Sequence, residues 1–187
     1  MADIRGTNPL KKGEKFTLAD RDSWPDNERW ELINGEAFDM SPSPRTRHQQ
    51  IVLSLASKLV VHLNGKPCQP FSAPLDVFLV DDQDPDTVVQ PDVLVVCDET
   101  KIQENGIHGA PDFVAEILSD STAYKDLGRK KELYERTGVR EYWIINPDSS
   151  SVFVYARTGT AFAPATEVRK GTTVPSSAIP GFSWLCP

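Results

Sequence analysis

Cysteine, histidine and methionine are all scarce in this chain of 187 residues, which has three, three and two of them. The three cysteines, Cys68, Cys97 and Cys186, are odd in number and form no CxxC pair. That argues against a disulfide framework and for a reducing, cytoplasmic setting. His62 and His108 have no ligand spacing, and no zinc pattern, phosphate-binding Walker loop, GxGxxG or nucleophile elbow is present. No apolar run approaches the roughly 20 residues that cross a bilayer. The opening Met1-Ala2-Asp3-Ile4-Arg5 lacks the apolar stretch of a secretion signal. Basic residues are also in deficit, with 20 Lys and Arg against 27 Asp and Glu, a formal charge of −7. That balance excludes a surface that coats nucleic acid or anionic lipid over its whole area, yet leaves room for a local basic groove.

What is present is an ordinary globular composition, 39% hydrophobic and 25% charged. At this length one core forms without staples, so residues 1–187 are expected to make a single domain. Residues 1–29 read as a polar lead and 157–187 as a proline-punctuated tail packed on the core. Asn34-Gly35 between two apolar-rich runs marks residues 30–40 as a β-hairpin, because both central positions of a type I′ turn need positive φ. Ser43-Pro44 reads as an N-cap followed by proline at the first helical position. Ile51, Val52, Leu55, Leu59 and Leu63 then recur at helical spacing until Asn64-Gly65. Strand-like runs follow at 71–80, 88–97 and 113–118. The pattern next predicts a helix over 124–137 that stops at Gly138, then strands at 141–145 and 152–155 around Asn146-Pro147-Asp148. The class is α/β, with a mixed central sheet flanked by helices.

Three features carry chemistry. In Asp112-Phe113-Val114-Ala115-Glu116-Ile117-Leu118, alternation puts Glu116 on the face of Val114 and Leu118, while Phe113, Ala115 and Ile117 cover the other face. A carboxylate inside a run apolar on both faces is buried, as an internal ion pair, as a group of raised pKa, or as a metal ligand or catalytic group. In Gln90-Pro91-Asp92, Asp92 opens a strand apolar enough to be central. With Glu116 it offers two carboxylates on consecutive strands, the donor set that a hard cation such as Mg²⁺ takes together with water. On the helix over 124–137, steps of 100° place Leu127, Lys130 and Tyr134 on one side and Lys125, Arg129 and Arg136 on the other. Lys130 thus faces inward, either to meet an anionic partner or to snorkel along its apolar neighbours. The basic residues of 124–140 make either a solvated face or a phosphate track. His48 lies on the apolar stripe of the first long helix, as a structural residue or a ligand.

These segments together resemble a known family. Trp30-Glu31-Leu32-Ile33-Asn34-Gly35-Glu36, Met40-Ser41-Pro42, His48, Gln90-Pro91-Asp92, Val114-Ala115-Glu116-Ile117-Leu118-Ser119, Asp126-Leu127-Gly128-Arg129-Lys130, Leu133-Tyr134 and Gly138-Val139-Arg140-Glu141-Tyr142-Trp143-Ile144 are similar to the Uma-type restriction endonucleases of the PD-(D/E)XK superfamily. The resemblance runs from about Phe16 to Pro180-Gly181-Phe182. It implies an αβββαβ core and a Mg²⁺-dependent endonuclease, with Mn²⁺ as a substitute. Asp92 matches the motif aspartate and Glu116 the acidic residue of ExK. The motif lysine would fall at Leu118, so the resemblance assigns its role to Lys130 on the following helix. Asp92, Glu116 and the carbonyl of Ile117 would hold the metal, and Glu36, His48, Gln90 and Tyr134 would be accessory. The implied substrate is nucleic acid, DNA in the first instance, cut by a homodimer whose interface would come from Tyr142-Trp143 or the C-terminal tail. Asp120 stands where the family has proline, and Asn146 where it has aspartate. On this reading Lys130→Met abolishes cleavage and leaves the fold intact. Competing readings are a non-cleaving nucleic-acid or partner-binding module on the same scaffold, a hydrolase of smaller phosphate esters, and a purely structural protein with Glu116 paired internally.

Overall fold

The structure is a computed structural model that describes residues 14–25, 27–40, 45–81, 85–118 and 123–187, with the side chains of 123–127 left aside. In chain order it contains helix α1 (Leu18–Asp22), the hairpin strands β1 (Trp30–Ile33) and β2 (Glu36–Asp39), and helix α2 (Thr46–Leu63). Seven strands follow: β3 (Gln69–Ser72), β4 (Val77–Phe78), β5 (Val88–Val89), β6 (Val93–Val96), β7 (Ile102–Gln103), β8 (Gly106–His108) and β9 (Phe113–Ile117). Then come helix α3 (Ala123–Thr137), the long strands β10 (Glu141–Asn146) and β11 (Ser151–Thr158), and the short strands β12 (Ala161–Phe162), β13 (Thr166–Arg169), β14 (Thr173–Pro175) and β15 (Ser183–Leu185).

The Asn34-Gly35 turn has the expected conformation, with φ of 51° and 71°, and sets the register Ile33 opposite Glu36. The expected Ser43-Pro44 cap lies outside the described residues. Helix α2 opens at Thr46 after Arg45, an extended residue whose side chain makes no capping bond.

Two expected strands are each divided. The run at 71–80 becomes β3 and β4, and the run at 88–97 becomes β5 and β6. The breaks coincide with Pro74 and Pro91, which lack the N–H that a continuous ladder needs. Past each proline the chain changes sheet. β3 and β6 belong to the main sheet, ordered β12-β11-β10-β9-β6-β3 with β13 also on β11. β4 and β5 belong to a second sheet, ordered β2-β1-β5-β4-β8-β7. Asp92 stands at this junction, one residue before β6.

The main sheet is mixed. β9 and β10 run parallel, joined through α3, while β6 is antiparallel to β9. One face is covered by Ile51, Leu55, Leu59 and Leu63 of α2 and by Val174, Ile179, Phe182 and Trp184 of the tail. The tail is therefore part of the core and closes with its own β14–β15 hairpin. The other face meets α3 and the second sheet through Leu133, Tyr134, Tyr142, Ile33 and Val77. Tyr142 and Trp143 are fully buried, so they cannot supply the interface between copies that the sequence suggested. Among the described residues no helix is long and apolar enough to cross a membrane.

Cys68 and Cys97 flank the β3–β6 pair, in which Gln69 faces Val96, and form a disulfide; Cys186 is free and buried. This pairing weighs against the cysteine argument for a reducing compartment, because disulfides belong chiefly to oxidising ones. The odd count concealed a pair that only strand register brings together.

Candidate active site

The junction of the two sheets gathers ionisable side chains from four elements. Val93 pairs with Ala115 across the antiparallel β6–β9 ladder, so Asp92, one step outward, lies opposite Glu116. The Ile117 N–H donates to Asp92 Oδ2 at 2.8 Å. His48, in the first turn of α2, reaches the same oxygen with Nε2 at 3.2 Å. Burial pulls the His48 imidazole down, but the Asp92 hydrogen bond and the negative charges of Asp92 and Glu116 outweigh it and raise its pKa. Among the described residues the Tyr142 hydroxyl is buried without a hydrogen-bond partner, while the Ile117 backbone adds to the raised pKa of His48.

Glu116 points to the α3 side, as alternation required, and is only 6% exposed. Its Oε1 accepts from Lys130 Nζ at 3.0 Å and from the Tyr134 hydroxyl at 2.8 Å. Burial is the largest influence on its carboxyl. The Lys130 ammonium opposes burial, the charges of Asp92 and Glu31 add to it, and the pKa rises to about 7. Lys130 is 8% exposed. Burial alone would discharge it, but Glu116 and Glu31 overcome that and hold its pKa above the ordinary lysine range. The inward side of α3 was therefore correctly read for Lys130 and Tyr134, while the Leu127 side chain lies outside the described residues. So does Asp120.

Glu31 was quoted in the family motif but not singled out, and the structure places it at the centre. It lies on β1, 3% exposed, and its Oε1 accepts from Lys130 Nζ at 2.8 Å and from the Gln90 N–H at 2.7 Å. The signal that exposed Glu116 was available here too. In Trp30-Glu31-Leu32-Ile33 a carboxylate alternates within an apolar strand, sharing its face with Ile33.

The remaining accessory candidates lie apart from the carboxylates or are already committed. Gln90 accepts from Arg29 through Oε1, at 2.6 Å from Nη2, and donates through Nε2 to Asp76 Oδ1 at 2.8 Å. Asp76 also takes Arg21 at 2.7 Å. The Gln90 side chain thus braces the junction, and its backbone, not its amide, touches the cluster. Glu36 faces the outer side of α3, where it pairs with Arg129 and lies 3.7 Å from Lys15. The Arg129 guanidinium beside it lowers its pKa. These groups, with Arg136, line a surface cavity of about 510 Å³. The structure does not bring Glu36 to Glu116.

The donor set suits a small hard cation. Among the described residues, the hydrogen bonds to the two opposed carboxylates fall on Asp92 Oδ2 and Glu116 Oε1, and none falls on Oδ1 or Oε2. Glu31 and Glu116 share one lysine and Asp92 lies opposite Glu116, so the carboxylates outnumber the lysine, a balance that a dication would shift toward neutrality. Among the described residues no group of three or more His, Cys, Asp or Glu is placed to hold a metal ion, so an ion here would rest on two carboxylates and water.

The fold thus carries a mixed sheet with paired carboxylates at a strand junction and a lysine from the next helix bonded to one of them. The chain matches the Uma2 family, described as "Putative restriction endonuclease", over residues 18–186, and belongs to it. In fold it is similar to the crystal structure of a putative nuclease belonging to DUF820 from Anabaena variabilis ATCC 29413. The TM-score is 0.73 at 22% identity, covering 91% of this chain and 95% of that one. No curated protein matches the sequence.

Proposed function

We propose that this protein is a divalent-metal-dependent endonuclease that hydrolyses phosphodiester bonds of nucleic acid, DNA in the first instance. The family description and the nuclease neighbour support the nuclease class. The observation that carries the finer reading is the opposition of Asp92 and Glu116 across β6 and β9, with Lys130 bonded to Glu116. Asp92, Glu116 and the Ile117 carbonyl would hold Mg²⁺ or Mn²⁺. When bound, the ion polarises a phosphate oxygen and lowers the pKa of its water. His48 and the Ile117 N–H fix the Asp92 carboxylate, and Tyr134 fixes that of Glu116. Lys130 keeps its proton between two carboxylates, orients the attacking water and stabilises the developing negative charge. The Arg129 and Arg136 side of α3 supplies positive charge for the phosphate backbone. A cytoplasmic location and a homodimer belong to this reading. The Cys68–Cys97 disulfide opposes the first, and the exposed Leu185 on the tail offers a surface for the second.

One observation favours the non-cleaving module instead. Glu31, Lys130 and Glu116 already form a closed, buried ion triad, which needs no metal to be satisfied. Calorimetric titration of Mn²⁺ and Mg²⁺ into wild type and an Asp92→Ala/Glu116→Ala variant separates the two. Saturable binding lost in the variant, with cleavage of DNA or RNA by wild type, supports the nuclease. Salt-dependent nucleic-acid binding by wild type without metal binding or cleavage moves the reading to the module.

A further inference from the structure

We propose that Glu31 is a positioning residue, the fixed anchor that holds Lys130 in place when Glu116 is engaged by a cation; this rests on the nuclease reading above. Lys130 Nζ has three N–H donors and spends two of them on carboxylates, Glu31 at 2.8 Å and Glu116 at 3.0 Å. The two partners are not equivalent. Glu116 stands opposite Asp92 and takes part in the candidate cation site. Glu31 comes from the other sheet, is 3% exposed, and contacts neither Asp92 nor His48 by any described hydrogen bond. It is too enclosed to touch a nucleic acid.

Among the described residues its hydrogen bonds fall on one oxygen, Oε1, which also accepts the Gln90 N–H at 2.7 Å. One carboxylate oxygen therefore ties together the lysine on α3 and the backbone two residues before Asp92. A dication held by Glu116 would draw that carboxylate's charge away from the ammonium and would repel the ammonium directly. With Glu116 as its only partner, Lys130 would either leave or compete with the ion. Glu31 removes the competition by giving the ammonium a second anion that the ion does not share. The side of the cluster built on β1 thus sets the lysine, and the side built on β6 and β9 stays open.

The test uses Glu31→Gln, which keeps an acceptor for Gln90 and for Lys130 but removes the charge, alone and combined with Lys130→Gln. In the protein without metal, each single variant is expected to lower Tm, and the double variant to lie no lower than the worse single one. In Mn²⁺ calorimetry at pH 8, Glu31→Gln is expected to weaken binding at least five-fold, but less than two-fold in the Lys130→Gln background. In steady-state cleavage, kcat is expected to fall at least ten-fold with KM for the nucleic acid within two-fold. Glu31→Asp, which keeps the charge but draws it back, is expected to recover part of kcat, and it carries the same test should Glu31→Gln fail to fold.

Wild-type kcat and Mn²⁺ affinity in both Glu31 variants would overturn the anchor while leaving the nuclease reading standing. So would a loss of Mn²⁺ affinity of equal size with and without Lys130, since Glu31 would then act only as a distant charge. Coupled Tm values in a wild-type protein that binds no Mn²⁺ and cuts neither DNA nor RNA would instead overturn the nuclease reading, and catalytic positioning with it, leaving an ion pair alone.

Discussion

Two buried carboxylates on neighbouring strands of the main sheet, Glu116 on β9 and Glu141 on β10, are satisfied in opposite ways. Glu141 faces the α2 and tail side and is fully buried. Its Oε1 accepts from Trp143 Nε1 at 2.6 Å, and its Oε2 accepts from the Ser177 and Ala178 N–H groups at 2.5 and 2.8 Å and from the Ser177 hydroxyl. Every one of these donors is neutral, and both oxygens are spent. Glu141 fastens the tail to the sheet and has nothing left to offer a ligand. Glu116 faces the α3 side with its described donors on one oxygen, a lysine among them, and with Asp92 and Glu31 close enough to raise its pKa. Burial alone therefore does not mark a functional carboxylate. What separates the two, among the described residues, is the oxygen that no donor reaches and the neighbouring negative charge.

Removing the lysine should show the difference most strongly. Lys130→Met leaves Glu31 and Glu116 facing one another with no buried cation, and breaking a buried pair in this way costs about 3–5 kcal/mol. Urea unfolding at pH 8 is expected to register that loss alongside the loss of cleavage. The expectation of an intact fold, reasonable for a lysine that snorkels, does not survive its burial between two carboxylates. Lys130→Met is thus a poor test of catalysis alone, and the pH dependence of stability reports the surroundings of Glu116 without removing the lysine. The Glu116 carboxyl ionises near 4.5 when unfolded and at about 7 when folded. Between those values the folded state binds more protons, so stability falls as pH rises. The cost is complete above pH 7 and relieved as pH drops toward 4.5. At 1.36 kcal/mol per unit it amounts to roughly 3 kcal/mol. Denaturation midpoints of the metal-free protein measured from pH 5 to pH 8.5 are expected to show this slope, and Glu116→Gln to flatten it. The raised pKa of His48 contributes a slope of the same sign, so only a slope undiminished in Glu116→Gln would assign the titration to another group.

The legible part of the site was whatever alternation or helical spacing determines within a single element. Glu116 and Lys130 were placed inward by residues two apart on a strand and four apart on a helix, and Asn34-Gly35 fixed the hairpin by its φ requirement. What one element could not reveal was pairing between elements. Glu31 became central because β1 docks on β5, Leu32 opposite Val88, which brings it under α3. Glu141 became structural because the tail folds back over it. Cys68 and Cys97 found each other through a ladder whose register is not written locally. Glu36 went the other way. Its place in the motif suggested the site, but the tight turn puts it on the outer face with Arg129. The strand breaks at Pro74 and Pro91 were readable in principle, since neither proline can sit inside a central ladder, and together they create the junction that presents Asp92.

Glu141→Leu sharpens the comparison from the structural side. It strands the Trp143, Ser177 and Ala178 donors in the core, where unsatisfied buried groups cost about 1–3 kcal/mol each before relaxation. A net loss of about 2–3 kcal/mol is expected, read as a lowered urea midpoint, with Mn²⁺ affinity within two-fold of wild type. A comparable loss of metal affinity would mean that the two faces of the sheet are coupled and that the contrast between the carboxylates is only apparent.

The smallest effect on stability is expected from the exposed pair of Arg129 and Glu36, and it separates a phosphate track from a solvated face. Arg129 is half exposed and lies 5.5 Å from the Phe38 ring centroid. An ion pair of this kind contributes about 0–1 kcal/mol, so Arg129→Gln should shift the urea midpoint barely or not at all. Its position carries the weight. Lys130, the next residue, grips Glu31 on β1, while Arg129 grips Glu36 on β2, so the helix straddles the hairpin with one cation inside and one outside. If the outer cation meets the backbone of a nucleic acid, Arg129→Gln lowers affinity and reduces the slope of log K against log salt by about one, whatever the sequence bound. An unchanged slope would assign Arg129 to its carboxylate partner alone and confine recognition to the junction where Asp92 and Glu116 face each other.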